Sequence, residues 1–186
     1  TGATNTAVGH SALAANVTHT NNTAIGYSVL AYATADGNTG VGDKVLQVST
    51  TGAANTGVGQ QALRLNTTGG NNTALGSSAL TNNTTASNNT AIGQACLDAN
   101  TTGAQNTGVG QGALGANTTA AYNTAVGYVA MASNTTGTEN TAVGSFALDA
   151  ITTNSYCTAV GYQALTANTA AYNTAVGRAA MVSNTT

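Results

Sequence analysis

The sequence predicts an all-β protein: a parallel β-solenoid, or β-roll, of about eleven 17-residue coils, with residues 1–186 forming one repetitive domain. Three observations predict it. A short string, Asn-Thr-Ala/Gly-aliphatic-Gly, recurs eleven times, once with Cys157 in place of Asn, and has its Thr at Thr6, Thr23, Thr39, Thr56, Thr73, Thr90, Thr107, Thr124, Thr141, Thr158 and Thr174. The spacing is 17 residues apart from two steps of 16. Two aliphatic columns run through the units, while the i, i+3, i+4, i+7 pattern of an amphipathic helix is missing. A fixed short period marks a solenoid, and 17 residues are too few for the paired helices of α-solenoids.

Each unit reads as two short strands and two turns. Thr-Ala-Val is the first strand, bent at the Gly that follows it. The segment around Ala-Leu is the second. Asn-Thr-Thr-Gly supplies a turn, where Gly takes positive φ and Asn bonds its own backbone. The two 16-residue steps lose a residue just before the next Asn, at Asp36-Gly37 and at Ala171-Tyr172, which marks the tolerant loop. Coils stacked at the strand spacing of about 4.8 Å make a rod roughly 50 Å long.

The first aliphatic column runs from Val8 to Val176 and the second from Leu13 to Met181. Both are expected to point inward, with Met131 and Met181 buried like the Leu they replace. Thr over Thr and Asn over Asn should form hydrogen-bonded ladders. Between Thr and the first aliphatic column lies a column of only Ala or Gly: Ala7, Ala24, Gly40, Gly57, Ala74, Ala91, Gly108, Ala125, Ala142, Ala159 and Ala175. Its parity is opposite to Val, so it is expected to face away from the aliphatic core. Restriction to such small residues implies close approach of another backbone, from a second chain or an opposed sheet, and the column is the candidate inter-chain packing face.

Composition narrows the function. Val, Ile, Leu and Phe number 29, a fraction low enough to suggest disorder, yet the net charge is only −2. The cations Lys44, Arg64 and Arg178 are scattered, so no basic stripe exists for nucleic acid. No apolar run approaches a membrane span.

The unit resembles the head repeats of trimeric autotransporter adhesins. It is still more similar to the Asn-Thr-Ala-Ile/Val-Gly-Tyr-x-Ala-Leu arrays of phage tail-fibre-like and bacterial surface proteins. Asn123-Thr124-Ala125-Val126-Gly127-Tyr128 and Thr158-Ala159-Val160-Gly161-Tyr162-Gln163-Ala164-Leu165 carry the match. The resemblance implies a left-handed parallel β-roll, often trimeric, with a role in attachment. The unit is about three residues longer than the adhesin head repeat.

No position gathers catalytic chemistry. His10 and His19 sit at non-equivalent positions with Asp36 the nearest acid, so no metal site is expected. Asp36, Asp43, Asp98, Glu139 and Asp149 fall in different units, and no general acid–base pair is apparent. Cys96 replaces the Ala before Leu97 and reads as a small buried filler. Cys157 replaces an Asn of the repeat. The two lie four units apart, too far for a disulfide. Tyr27, Tyr128 and Tyr162 follow the repeat Gly, while Tyr122, Tyr156 and Tyr172 fall in the loop. Stacked Tyr could bind sugar faces, or simply cover a turn. Asn-x-Thr sequons such as Asn66-Thr67-Thr68 fit either glycosylation or the repeat itself.

The expectation is therefore a non-enzymatic structural or adhesive fibre or filament segment, extracellular, with no cofactor. Its partners are copies of itself, in a head-to-tail filament or a lateral trimer, and a host-surface glycan or protein receptor. Thr1 and Thr186 join nearly in phase, as a piece of a longer array or a filament subunit would. Ice binding and a carbohydrate-binding or carbohydrate-acting solenoid are the alternatives. Ice binding is weakened because adjacent Thr-Thr side chains point oppositely.

Overall fold

A computed structural model describes residues 2–184, so the expected phasing of Thr1 with Thr186 lies outside the described residues. Eleven strands form one parallel sheet in chain order: β1 (Thr6–Val8), β2 (Thr23–Tyr27), β3 (Thr39–Asp43), β4 (Thr56–Val58), β5 (Thr73–Leu75), β6 (Thr90–Ile92), β7 (Thr107–Val109), β8 (Thr124–Val126), β9 (Thr141–Val143), β10 (Thr158–Val160) and β11 (Thr174–Val176). Each repeat is one rung of a β-solenoid, and like pairs with like: Thr107 with Thr124, Gly108 with Ala125, Val109 with Val126. The 16-residue steps keep this register, since Thr23 pairs with Thr39 and Thr158 with Thr174. The loop before the strand absorbs the missing residue.

The segment around Ala-Leu is not the second strand expected. Its backbone takes positive φ at every second residue, as at Ser78 (60°) and Leu80 (51°), where an extended strand would not. It is a run of tight turns, with the Ala79 N–H donating to the Gly76 carbonyl at 3.3 Å and the Asn83 N–H to the Leu80 carbonyl at 3.2 Å. The run still bonds its neighbours: the Leu80 N–H donates to the Cys96 carbonyl at 3.0 Å and the Ser78 N–H to the Gln60 carbonyl at 2.8 Å. A left-handed Leu costs about 1–2 kcal/mol. Burying its side chain returns about 1.5–3 kcal/mol. The Asn-Thr-Thr-Gly turn also differs from expectation. Gly103 does not take positive φ, and the left-handed residue falls two positions later, at Gln105 (60°). A Cβ at Gly103 would collide with the Ala120 carbonyl oxygen, so this Gly serves close approach of the next rung.

The core is thinner than two aliphatic columns. Leu114, Met131 and their equivalents from Leu30 to Leu165 are fully buried, whereas Leu13 in the first rung is 9% exposed and Met181 in the last rung 42%. The Val/Ile column points outward, a reversal of the expected parity: Ile25, Leu75, Ile92 and Val143 are exposed, and Val126 is half-buried in its strand. The Ala/Gly column points inward instead. Ala24, Ala74, Ala91, Ala125, Ala142 and Ala159 are fully buried within the chain, joined by Gly40, Gly57, Gly108 and Ala175, while Ala7 in the first rung is exposed. This column is therefore not an inter-chain packing face. The backbone that approaches it belongs to the chain's own turn wall, the opposed-wall half of the sequence argument.

The three Gly residues of that column show how close the wall comes. A Cβ on Gly40 would lie 2.5 Å from Val29 Cγ1, on Gly57 2.5 Å from Val45 Cγ1, and on Gly108 2.5 Å from Cys96 Sγ. Val29, Val45 and Cys96 are the wall residues that exceed Ala in size, because the equivalent position elsewhere is Ala62, Ala79, Ala113, Ala130, Ala147 or Ala164. Each large wall residue meets a Gly in the next rung. With Leu already spanning the interior, there is no volume for two Cβ groups more.

Asn fills the remainder of the interior, in two ladders. Asn55, Asn72, Asn89, Asn106, Asn123 and Asn140 precede the strands and are fully buried. In each the backbone N–H donates to the Oδ1 of the preceding rung's Asn, as from Asn106 to Asn89 at 2.9 Å. A second ladder runs through Asn66, Asn83, Asn100, Asn117 and Asn134, where Asn100 Nδ2 donates to Asn83 Oδ1 at 2.9 Å and to the Gly103 carbonyl at 2.9 Å. The ladders meet on shared carbonyls, since Asn72 Nδ2 and Asn83 Nδ2 both donate to the Ala86 carbonyl. Turn Thr residues add a third series, with the Thr67, Thr84, Thr101 and Thr118 hydroxyls each donating to the next rung's Thr carbonyl at 2.9–3.2 Å. These bonds run from hydroxyl to backbone rather than from Thr to Thr side chain.

Candidate functional site

Because Asn and Ala face inward along each strand, the residues between and beside them face outward. In the rung of β8 these are Tyr122, Thr124, Val126 and Tyr128. In that of β10 they are Tyr156, Thr158, Val160 and Tyr162. The outer sheet face thus carries parallel Thr and Val/Ile columns along all eleven rungs. Over the last four rungs it gains aromatic borders. Only Tyr27 and Tyr32 lie outside the segment 122–172 that holds every other Tyr and the single Phe. Phe146 sits edge-on to Tyr128 and to Tyr162, with ring centroids 5.3 and 6.1 Å apart, and Arg178 lies 5.9 Å over Tyr162. On the opposite border Tyr156 and Tyr172 stack at 4.9 Å and 5° between planes, the strand spacing expressed in side chains.

Glu139 stands in this second border, between Tyr122 and Tyr156 in rung order. Its charge and its hydrogen bond push the exposed Tyr156 phenol above its ordinary pKa. Tyr122, Glu139 and Thr141 line a recess of about 450 Å³ beside the Thr column. The sequence names Tyr122, Tyr156 and Tyr172 as loop residues, but Glu139 only as one of five acids that fall in different units. The missed signal was the column two residues before the strand Thr, which contains all four.

The other candidates stay dispersed. His19 Nδ1 lies 3.5 Å from Asp36 Oδ1, whose same oxygen accepts the Thr20 N–H at 2.7 Å. His10 stacks on Tyr27 at 5.4 Å, and Lys44 Nζ covers the same Tyr ring at 5.9 Å. Among the described residues no three His, Cys, Asp or Glu side chains come together as metal ligands. Cys96 and Cys157 are free and buried. Burial pushes the Cys96 thiol up to about 12, with the Asp98 charge adding to the rise and a backbone hydrogen bond at Ile92 opposing it. Such a thiol is inert as a nucleophile at neutral pH. Comparison with protein-family models, curated proteins and solved structures finds no match for this chain.

Proposed function

We propose that the chain is a non-enzymatic, extracellular structural and adhesive rod that assembles with copies of itself through its outer sheet face. The exposed Val/Ile column beside the Thr column carries this reading. A strand three residues wide and eleven rungs long makes a face of roughly 10 by 50 Å. Two such faces together reach about 1,000 Å², the threshold for a specific interface. An exposed aliphatic column running the length of such a face marks an interaction site. A second copy presents the same stripe, uncharged and with the same 4.8 Å repeat, so the contact can be self-complementary. The inward Ala/Gly column takes no part.

Sedimentation at rising concentration and low-dose imaging test the proposal. Lateral dimers, trimers or filaments are expected, and a monomer at all concentrations would defeat it. A second reading, ice binding, gains from the same face. The objection from adjacent Thr-Thr applies to the turn, whereas the strand places Thr and Val two residues apart on one flat, regular surface. Thermal hysteresis of the purified chain separates the two: its presence favours ice, its absence the assembling rod.

A further inference from the structure

Two features of the recess between Tyr122 and Glu139 together point to a ligand: its size and its lining. Its volume of about 450 Å³ falls in the range of small-molecule sites. It pairs an aromatic face with hydrogen-bonding groups: the exposed Tyr122 ring on one side, the Glu139 carboxylate on the other, and the Thr141 side chain beside both. Tyr156, one rung on from Glu139, stacks on Tyr172.

We propose that this recess is a subsite for a neutral pyranose ring of a glycan, with Tyr122 as the stacking platform and Glu139 and Thr141 as the hydrogen-bonding partners of its hydroxyls. A sugar presents a face of C–H groups to an aromatic ring and a rim of hydroxyls to polar side chains, which is the pairing found in this recess. Neutrality follows from charge. No Lys or Arg lines the recess, so a sulfated, phosphorylated or acidic sugar would meet only Glu139. An ammonium ligand would want ring faces on several sides, but Tyr172 already covers one face of Tyr156. The Tyr128–Phe146–Tyr162 border across the Thr and Val columns gives a longer glycan a second apolar edge.

The proposal rests on the adhesive reading and supplies its ligand class. The test is saturation-transfer NMR on the full chain with lactose, cellotriose and chitotriose as probes, alongside Tyr122→Ala, Glu139→Gln and, as a control on an exposed ring elsewhere, Tyr32→Ala. Binding of at least one probe is expected, weakened about tenfold by Tyr122→Ala, as loss of an aromatic platform implies. Glu139→Gln should weaken binding several-fold, and Tyr32→Ala should leave it unchanged. All three variants should keep the wild-type melting temperature or exceed it, since the changed side chains are exposed. No binding of any probe, equal binding by Tyr122→Ala and Tyr32→Ala, or tetramethylammonium binding in place of sugar would each overturn the subsite. Rods that assemble normally while showing any of these results would leave the fibre reading standing. Sugar binding by a chain that never assembles would keep the subsite and remove the assembly.

Discussion

At the scale of single residues, the interior follows a size rule between rungs. Cys96 leaves no volume for a Cβ on Gly108, 2.5 Å away. Gly108→Ala is expected to destabilise the chain by about 1–3 kcal/mol through overpacking. Cys96→Ala should restore most of that loss, because Ala facing Ala is the arrangement at Ala113 and Ala125. Chemical denaturation of both single variants and the double variant measures the coupling, and purely additive effects would refute it. Asp149 shows a different cost. Burial pushes its carboxyl above the ordinary carboxylate range, backbone N–H groups of Asp149 and Ala150 oppose the rise, and Oδ1 has no hydrogen-bond partner. A folded-state pKa above the unfolded one favours folding while the group is protonated, and that advantage fades as pH rises through the folded value. Asp149→Asn should therefore raise the melting temperature at pH 7 by about 1–2 °C. The gain should vanish near pH 3, where Asp149 is protonated in both states. A lower melting temperature for the variant at pH 7 would contradict this account.

At the scale of elements, the Asn ladders take the place that a second aliphatic column would occupy. Asn100 Nδ2 donates to Asn83 Oδ1, and Asn100 Oδ1 accepts from Asn117 Nδ2 at 2.9 Å. Asn100→Ala removes partners from both neighbours, and each buried polar group left unpaired costs about 1–3 kcal/mol. Asn100→Asp should cost more, because a carboxylate cannot donate to the Gly103 carbonyl and would be charged in a buried site. Thermal melts that rank Ala above Asp, both well below wild type, would bear this out. The strand ladder is interrupted at Cys157, which still donates its N–H to Asn140 Oδ1 at 2.9 Å, and the turn ladder at Ala33, Ser49 and Ile151. The repeat period, the register and the ladders were legible in the sequence because stacking forces identity from rung to rung. The direction of the strand was not. Hydrophobicity pointed to Val as the inward residue, but Asn and Ala share the opposite parity. What decides between them is interior width, which depends on the turn wall and cannot be read from one strand. The left-handed turn run was hidden for a related reason, since Leu at positive φ runs against its local preference.

At the scale of the whole molecule, one side of the rod is saturated with hydrogen bonds and the other is an open Thr/Val sheet face. Val126→Lys with Val143→Lys should abolish lateral association in sedimentation while leaving the fold intact, because both side chains point out of the core. Loss of the fold instead would return Val to the interior. The recess was only half legible at this scale: the aromatic residues were visible in the sequence, but their union with Glu139 needed the coil to bring residues 17 apart into contact. The size rule inside the core also governs how such a chain can change over generations. Near-identical repeats invite recombination that inserts or deletes whole rungs, and neighbour-only contacts make most of these events harmless. They are not all equivalent. A rung with Val or Cys in its turn wall can be followed only by a rung with Gly in its strand, whereas an Ala wall can precede either. The rungs thus obey a one-way grammar, and a lengthened or shortened descendant of this chain should keep the pairs Val29–Gly40, Val45–Gly57 and Cys96–Gly108 together even where everything around them has been shuffled.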